Sequence, residues 1–244
     1  MHLKLNTMTR LSVNINKVAL IRNSRGGNLP DLSQFSRDCE SFGAQGITVH
    51  PRPDERHIRY SDAYALKDIV RTEFNIEGYP GERFLKMVLQ VKPDQCTLVP
   101  DPPDVLTSDT GWDTLVQKEF LKDVVSTLHE AGIRVSLFLD PEPELVDHAM
   151  ETGADRIELY TGRYAKDYFQ NRESAIAPHV ETAKRAVKAG LGVNAGHDLN
   201  LDNLKYYAEN VPGLMEVSIG HAIICDALYF GIENVIDMYL RLLR

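Results

Sequence analysis

A chain of 244 residues with 27 Lys+Arg against 35 Asp+Glu has a formal net charge of −8, which argues against a general binder of nucleic acid or anionic membrane. Its 43% hydrophobic and 25% charged residues are those of an ordinary globular protein, at a length that suits one α/β barrel. The cysteines Cys39, Cys96 and Cys225 are scattered without metal spacing, and the start MHLKLNTMTR has no apolar stretch. A reduced, cytoplasmic protein without a membrane span is the expectation.

In chain order, strands are expected over 11–16, 46–50, 73–77, 95–100, 134–140, 156–160, 191–195 and 214–219. Helices are expected over 32–42, 61–71, 82–91, 114–131, 142–152, 174–189, 202–210 and 227–243. Ser61 is a good N-cap for the second helix, and Asp140 would cap the helix after the fifth strand. The junction of helix, glycine and short apolar run recurs as ESFGAQGITVH, LHEAGIRVSLFLD, METGADRIELY and VKAGLGVNAG. Gly43, Gly132, Gly153 and Gly190 each fall where a helix C-cap needs positive φ. The strands read as continuous apolar runs buried on both faces, the mark of parallel strands alternating with helices. Eight such units without a linker predict a single-domain (β/α)8 TIM barrel over 1–244, with room for extra short helices. No G-x-G-x-x-G follows the first strand, which disfavours a Rossmann sheet.

Catalytic residues of such a barrel sit at the C-terminal strand ends, whose loops share one mouth. Those ends carry Asn14 and Asn16, His50, Glu77, Pro100, Asp140, Glu158 and Tyr160, the run from Asn194 to His197, and Gly220 with His221. Four of eight histidines (His50, His57, His197 and His221) fall at or just past a strand end. His2, His129, His148 and His179 fall on the tail or on helices and are expected to be solvated. Glu77 closes the apolar run FNIE, where a carboxylate is costly unless paired or catalytic. Burial would lift it toward neutrality, as a general acid–base requires. Glu158 reads equally as a site residue or as half of a structural ion pair.

Two anion seats are expected. NAGHD (194–198) and IGHAI (219–223) follow the seventh and eighth strands, the usual phosphate seat of a barrel. Arg22, Arg25, Arg52, Arg56 and Arg59 could gather a second anion, with Arg25 carried by the flexible Gly26-Gly27 pair; Arg56 and Arg59 read equally as solvated charges. A metal is disfavoured because the histidines form no H-x-H or H-E-x-x-H unit. Lys17 is the only lysine near a strand end, so a lysine Schiff base is poorly supported.

The segments VNINKVALIRNSRGGNLPD, GITVHPRPDERHI, FNIEG, CTLVP, VSLFLD, IELYTGRYA, VNAGHDL and IGHAII resemble, in order, blocks of the pyridoxine 5′-phosphate synthase family of vitamin B6 biosynthesis. The resemblance covers most of the chain. It implies a cytoplasmic homo-octamer of TIM barrels and a transferase that needs no metal or organic cofactor. The reaction implied is condensation of 3-amino-2-oxopropyl phosphate with 1-deoxy-D-xylulose 5-phosphate to pyridoxine 5′-phosphate, phosphate and water. It makes His50 and Glu77 proton acceptors, His197 the proton donor and Glu158 the group stabilising transition-state charge. Asn14, Arg25, Gly220 and His221 would hold the amino-ketone phosphate; Arg52, His57 and Thr107 would hold the pentulose phosphate. Asn16-Lys17 stands where many members carry Asp-His against that same phosphate. Asp198 stands where a glycine is frequent, and Tyr160 where a histidine is common. The partners implied are these small phosphorylated substrates, with no nucleic acid or membrane. An isomerase or aldolase of sugar phosphates, and a non-catalytic sensor of phosphorylated metabolites, are the competing readings.

Overall fold

The computed structural model describes residues 8–101 and 110–244, so Thr107 lies outside the described residues. Eight parallel strands pair in chain order and close on themselves through β8 and β1. They are β1 Arg10–Asn14, β2 Gly46–Val49, β3 Glu73–Gly78, β4 Gln95–Leu98, β5 Arg134–Leu139, β6 Arg156–Tyr160, β7 Gly192–His197 and β8 Leu214–Ile219. Around them run α1 Asn16–Asn23, α2 Leu32–Ser41, α3 Tyr60–Lys67, α4 Glu82–Val91, α5 Lys118–Glu130, α6 Pro143–Glu151, α7 Gly162–Ala189, α8 Leu204–Asn210, α9 His221–Phe230 and α10 Ile232–Leu242. This is the expected TIM barrel, and Gly43, Gly132, Gly153 and Gly190 hold φ of 105°, 77°, 84° and 85° at the helix-to-strand junctions.

The strands are buried on both faces, but they are not apolar on both. Alternate residues such as Leu11, Val13, Ile47, Val49, Phe74, Ile76, Val135, Leu137, Ile157 and Val217 form the apolar layer under the helices. The residues between them fill the barrel with polar groups. Ser12 and Thr48 hydroxyls lie 2.7 Å apart, and the Asn75 amide donates to Thr48 at 3.3 Å. Thr97 donates to Asn75 at 3.1 Å and lies 3.5 Å from Glu158. These mutual bonds make this part of the buried polar layer tolerable, while Ser136 Oγ, Asn194 Nδ2 and Ser218 Oγ find no hydrogen-bond partner among the described residues. At the N-terminal end, Glu73 gathers Arg10 at 2.9 Å, Arg134, and Arg156 at 3.6 Å.

Several boundaries differ from expectation, each for a local reason. β1 ends at Asn14 because its Oδ1 accepts the Asn16 N–H at 3.0 Å, turning the chain into α1. Lys17 therefore lies on a helix. The helix expected over 174–189 starts earlier, as α7, and breaks at Asn171, whose side chain recaps it by accepting the N–H groups of Glu173 and Ser174 at 3.1 and 3.0 Å. The last helix divides at Gly231 into α9 and α10. The N-cap of α3 is Arg59, not Ser61, with Asp62 accepting the Arg59 N–H at 2.7 Å. Asp140 does not cap α6, whose N-cap is Glu142; it accepts the Gly111 N–H at 3.0 Å. His179 is not solvated. It lies 1% exposed on the inner stripe of α7 with Ile176, Ala183 and Ala186, its Nδ1 2.9 Å from the Tyr207 hydroxyl.

Candidate active site

Period-two alternation builds the mouth. The barrel-facing residue two positions beyond Ser12 is Asn14; beyond Thr48 it is His50; beyond Asn75, Glu77. The same step leads from Glu158 to Tyr160, from Asn194 to Gly196 and from Ser218 to Gly220. Six of the eight strands, β1 to β3 and β6 to β8, thus deliver one of these groups at their C-terminal ends.

His50 and Glu77 face each other, Nδ1 to Oε2 at 3.9 Å, and the Asn14 amide lies 3.4 Å from the same Glu77 oxygen. Asn16 fixes the strand tip rather than the pocket, its Oδ1 accepting the His50 backbone N–H at 2.9 Å. Burial holds His50 well below the usual imidazole range, and Arg52, His57 and Arg56 push it further. Burial likewise lifts Glu77 well above the carboxylate range, with Glu158, Asp101 and Glu216 adding and Arg52 opposing. Both shifts disfavour the charged form, so burial works against an ion pair between this imidazole and this carboxyl. Glu158 is buried too, and burial pushes it up to about 7 against the opposing influence of Thr97 and His197. Its Oε1 would lie 2.6 Å from any Cβ at position 196, so Gly196 is what lets this carboxyl sit under loop seven.

Basic groups flank one side of this pair. Arg52 is 4% exposed and bonds Asp101 at 2.5 Å. His57 stands 6.3 Å from His50, ring to ring, and its Nδ1 accepts the Ile58 N–H at 2.9 Å. That bond places the proton of the neutral ring on Nε2. Burial pushes His57 down to about 4, with Arg52, Lys17 and Arg56 adding, so Lys17 contributes its charge here from α1. A cavity of about 290 Å³ opens from His50 and Arg52 toward Tyr60, Tyr79, Arg83 and Asp101. Arg22 is not part of this gathering: it is 2% exposed and grips both Asp62 oxygens at 2.7 and 2.8 Å. Arg56 bonds Asp54 at 2.6 Å, while Arg59 is exposed at the start of α3.

On the other side, loop eight packs against the end of β1. A Cβ on Gly220 would come within 2.9 Å of the Asn14 carbonyl oxygen. Gly220 is the N-cap of α9 and His221 its first residue, so the helix offers its first-turn N–H groups beside Asn14. This helix begins six residues before the expected one. Arg25 lies exposed beyond α1, next to Gly26 and Gly27 with φ of 72° and 96°. The structure does not bring it into the cluster.

His197 ends β7 with a φ of 93°, unusual for a residue with a side chain and a mark of local strain. Its Nδ1 lies 2.6 Å from Asp198 Oδ2 and its ring packs edge-on against Tyr160 at 5.5 Å. Asp198 spends its backbone groups on the protein: its N–H meets the Thr161 hydroxyl at 3.3 Å and its carbonyl accepts from Asn203 at 3.3 Å. The Asp198 carboxylate thus meets His197 while its backbone ties loop seven to Thr161 and Asn203. Asp101 is the residue that sequence reasoning missed. Its signal, an acid just past the fourth strand in LVPDPPD, was overshadowed by the surrounding prolines.

Comparison with known proteins agrees with this geometry. The family model for "Pyridoxal phosphate biosynthesis protein PdxJ" matches residues 11–244. The pyridoxine 5′-phosphate synthase of Cytophaga hutchinsonii is 60% identical over 237 residues, 97% of this chain and 100% of the relative. That of Parabacteroides distasonis is 59% identical, covering 95% and 98%. Among solved structures, N-(5′-phosphoribosyl)anthranilate isomerase from Pyrococcus furiosus matches 96% of this chain and 98% of its own with a TM-score of 0.62. At 12% identity that match speaks for the barrel alone. With the family match spanning 11–244 and these relatives aligned almost end to end, the chain belongs to the PdxJ family of pyridoxal phosphate biosynthesis proteins.

Proposed function

We propose that the chain condenses 3-amino-2-oxopropyl phosphate with 1-deoxy-D-xylulose 5-phosphate to form pyridoxine 5′-phosphate, phosphate and water. The reading is supported by the name carried by relatives about 60% identical over nearly the whole chain. What supports it here is that His50 and Glu77 face each other at 3.9 Å in the barrel mouth, with Arg52 and His57 on one side and the start of α9 beside Asn14 on the other.

Joining an amine to a ketone, expelling phosphate and water and closing an aromatic ring requires repeated proton transfers and no redox step. His50, unprotonated, takes a proton while the Schiff base forms and phosphate departs. Glu77, its carboxyl raised by burial, exchanges protons beside His50 as a proton acceptor. His197 serves the later dehydration, and Glu158, titrating near neutrality, offsets charge that develops over the barrel core. Arg52 and His57 hold the pentulose phosphate, with Lys17 near; Asn14, Gly220 and the start of α9 with His221 hold the amino-ketone phosphate. Arg25 reaches the latter by closure of its Gly-Gly loop, and Thr107 completes the former. Fixing two reactants in reacting geometry is worth about 7–11 kcal/mol in favourable cases. The working assembly is a cytoplasmic homo-octamer, which light scattering in solution checks.

The test supplies each substrate alone and both together. Turnover only with both is expected. Turnover of one phosphorylated substrate without the amino-ketone would indicate an isomerase or aldolase instead. Tight binding of both without product would indicate a sensor.

A further inference from the structure

Asp198 and Tyr160 close on the His197 ring from two directions. The Asp198 carboxylate lies 2.6 Å from Nδ1, and the Tyr160 ring meets the imidazole edge-on at 5.5 Å. Both neighbours are themselves held. Phe138 packs on the Tyr160 ring at 5.6 Å. The phenol hydroxyl lies over Gly162, where a Cβ would collide with it. Thr161 ties the loop across, donating to the Gly196 carbonyl at 2.6 Å and accepting the Asp198 N–H. The backbone at His197 is in a conformation that side-chain-bearing residues rarely adopt, so the ring's placement depends on such supports.

We propose that Asp198 is a positioning residue for His197, with Tyr160 as the surface against which the ring rests. This rests on the functional reading above. A carboxylate only accepts hydrogen bonds, so the contact at Nδ1 selects the tautomer in which Nδ1 carries the proton. Nε2, the opposite nitrogen, is then the atom that meets substrate, with a lone pair oriented before substrate arrives. The carboxylate also stabilises the imidazolium once Nε2 has taken a proton, preparing the ring to return it in the dehydration step. Asp198 touches no reacting atom in this scheme; it acts through His197.

The test has two arms. Ring-nitrogen NMR of protein labelled with 15N-histidine, without substrate and at alkaline pH, reads the tautomer, with His197→Gln assigning the signals. The wild-type ring should carry its proton on Nδ1. Asp198→Ala should pass to the Nε2–H form that predominates in free histidine, and Asp198→Asn, which keeps an acceptor oxygen, should retain part of the Nδ1–H form. In steady-state kinetics, Asp198→Ala should lose about 10- to 100-fold in kcat, as loss of an orienting partner of a functional histidine does. KM for both substrates should stay within about two-fold, with partial rescue in Asp198→Asn. An unchanged tautomer in Asp198→Ala would overturn the proposal. So would a raised KM for either phosphate with kcat intact, which would make Asp198 a substrate contact. The NMR arm needs no turnover, so it decides the role of Asp198 even if the proposed reaction fails.

Discussion

Burial moves His50 down and Glu77 up, in each case against the charged form. His50→Asn and Glu77→Gln keep size and polarity but cannot exchange protons. Each should lower kcat by at least about 100-fold with the fold intact, measured in the two-substrate assay. The positions of these groups were legible because strand-end histidines and acids are poor core material. The full set of charges acting on them was not, since Arg52, Asp101 and Glu158 arrive from distant segments. His179 shows the converse. A histidine on a helix reads as solvated, yet the spacing Ile176, His179, Ala183, Ala186 marks a buried stripe. Burial pushes His179 down to about 4, from about 6.5 in an unfolded chain. Its contribution to stability is fully present above about pH 6.5 and is lost as pH falls through about 4, by up to about 3 kcal/mol. Denaturation of His179→Gln between these pH values should show a flatter acid limb than wild type.

At the scale of elements, α1 holds the second loop in place. Asn23 donates to the His57 carbonyl at 2.7 Å and the Arg56 carbonyl at 3.2 Å, while Arg22 joins α1 to α3 through Asp62. Removing the Asn23 clamp loosens the loop that carries His57. At about 0.5–1.5 kcal/mol for each of the two hydrogen bonds, Asn23→Ala should raise KM for the pentulose phosphate by roughly 5- to 150-fold. KM for the amino-ketone should stay unchanged. Arg22→Ala leaves Asp62 without its buried partner and should lower stability by about 3 kcal/mol in a denaturant titration. This helix escaped sequence reading because the alternation SVNIN carries a strand pattern through Asn16, past the point where Asn14 turns the chain into α1. The α-to-β junctions were readable because a glycine at positive φ marks where each helix must end.

Across the whole molecule the barrel is polar within and differentiated end to end. Its N-terminal end is closed by Glu73 among Arg10, Arg134 and Arg156; its C-terminal end carries the proposed site. Stability and activity are therefore separable. Glu73→Ala should lower stability by about 3 kcal/mol through stranded guanidinium groups, with kcat per folded molecule unchanged. Trp112, the chain's single tryptophan, is buried and reports that unfolding by fluorescence. Eight strand–helix units were visible in the sequence as a repeat, whereas the polar interior was hidden by reading the strands as apolar throughout.

The central claim is that one mouth joins two phosphorylated reactants while releasing phosphate from one of them. Its most direct measurement is the stoichiometry of inorganic phosphate and pyridoxine 5′-phosphate formed from 3-amino-2-oxopropyl phosphate and 1-deoxy-D-xylulose 5-phosphate together. Equal amounts of both products, and neither when one substrate is withheld, are predicted. Phosphate released without the ring product, or consumption of the pentulose phosphate alone, would contradict the account.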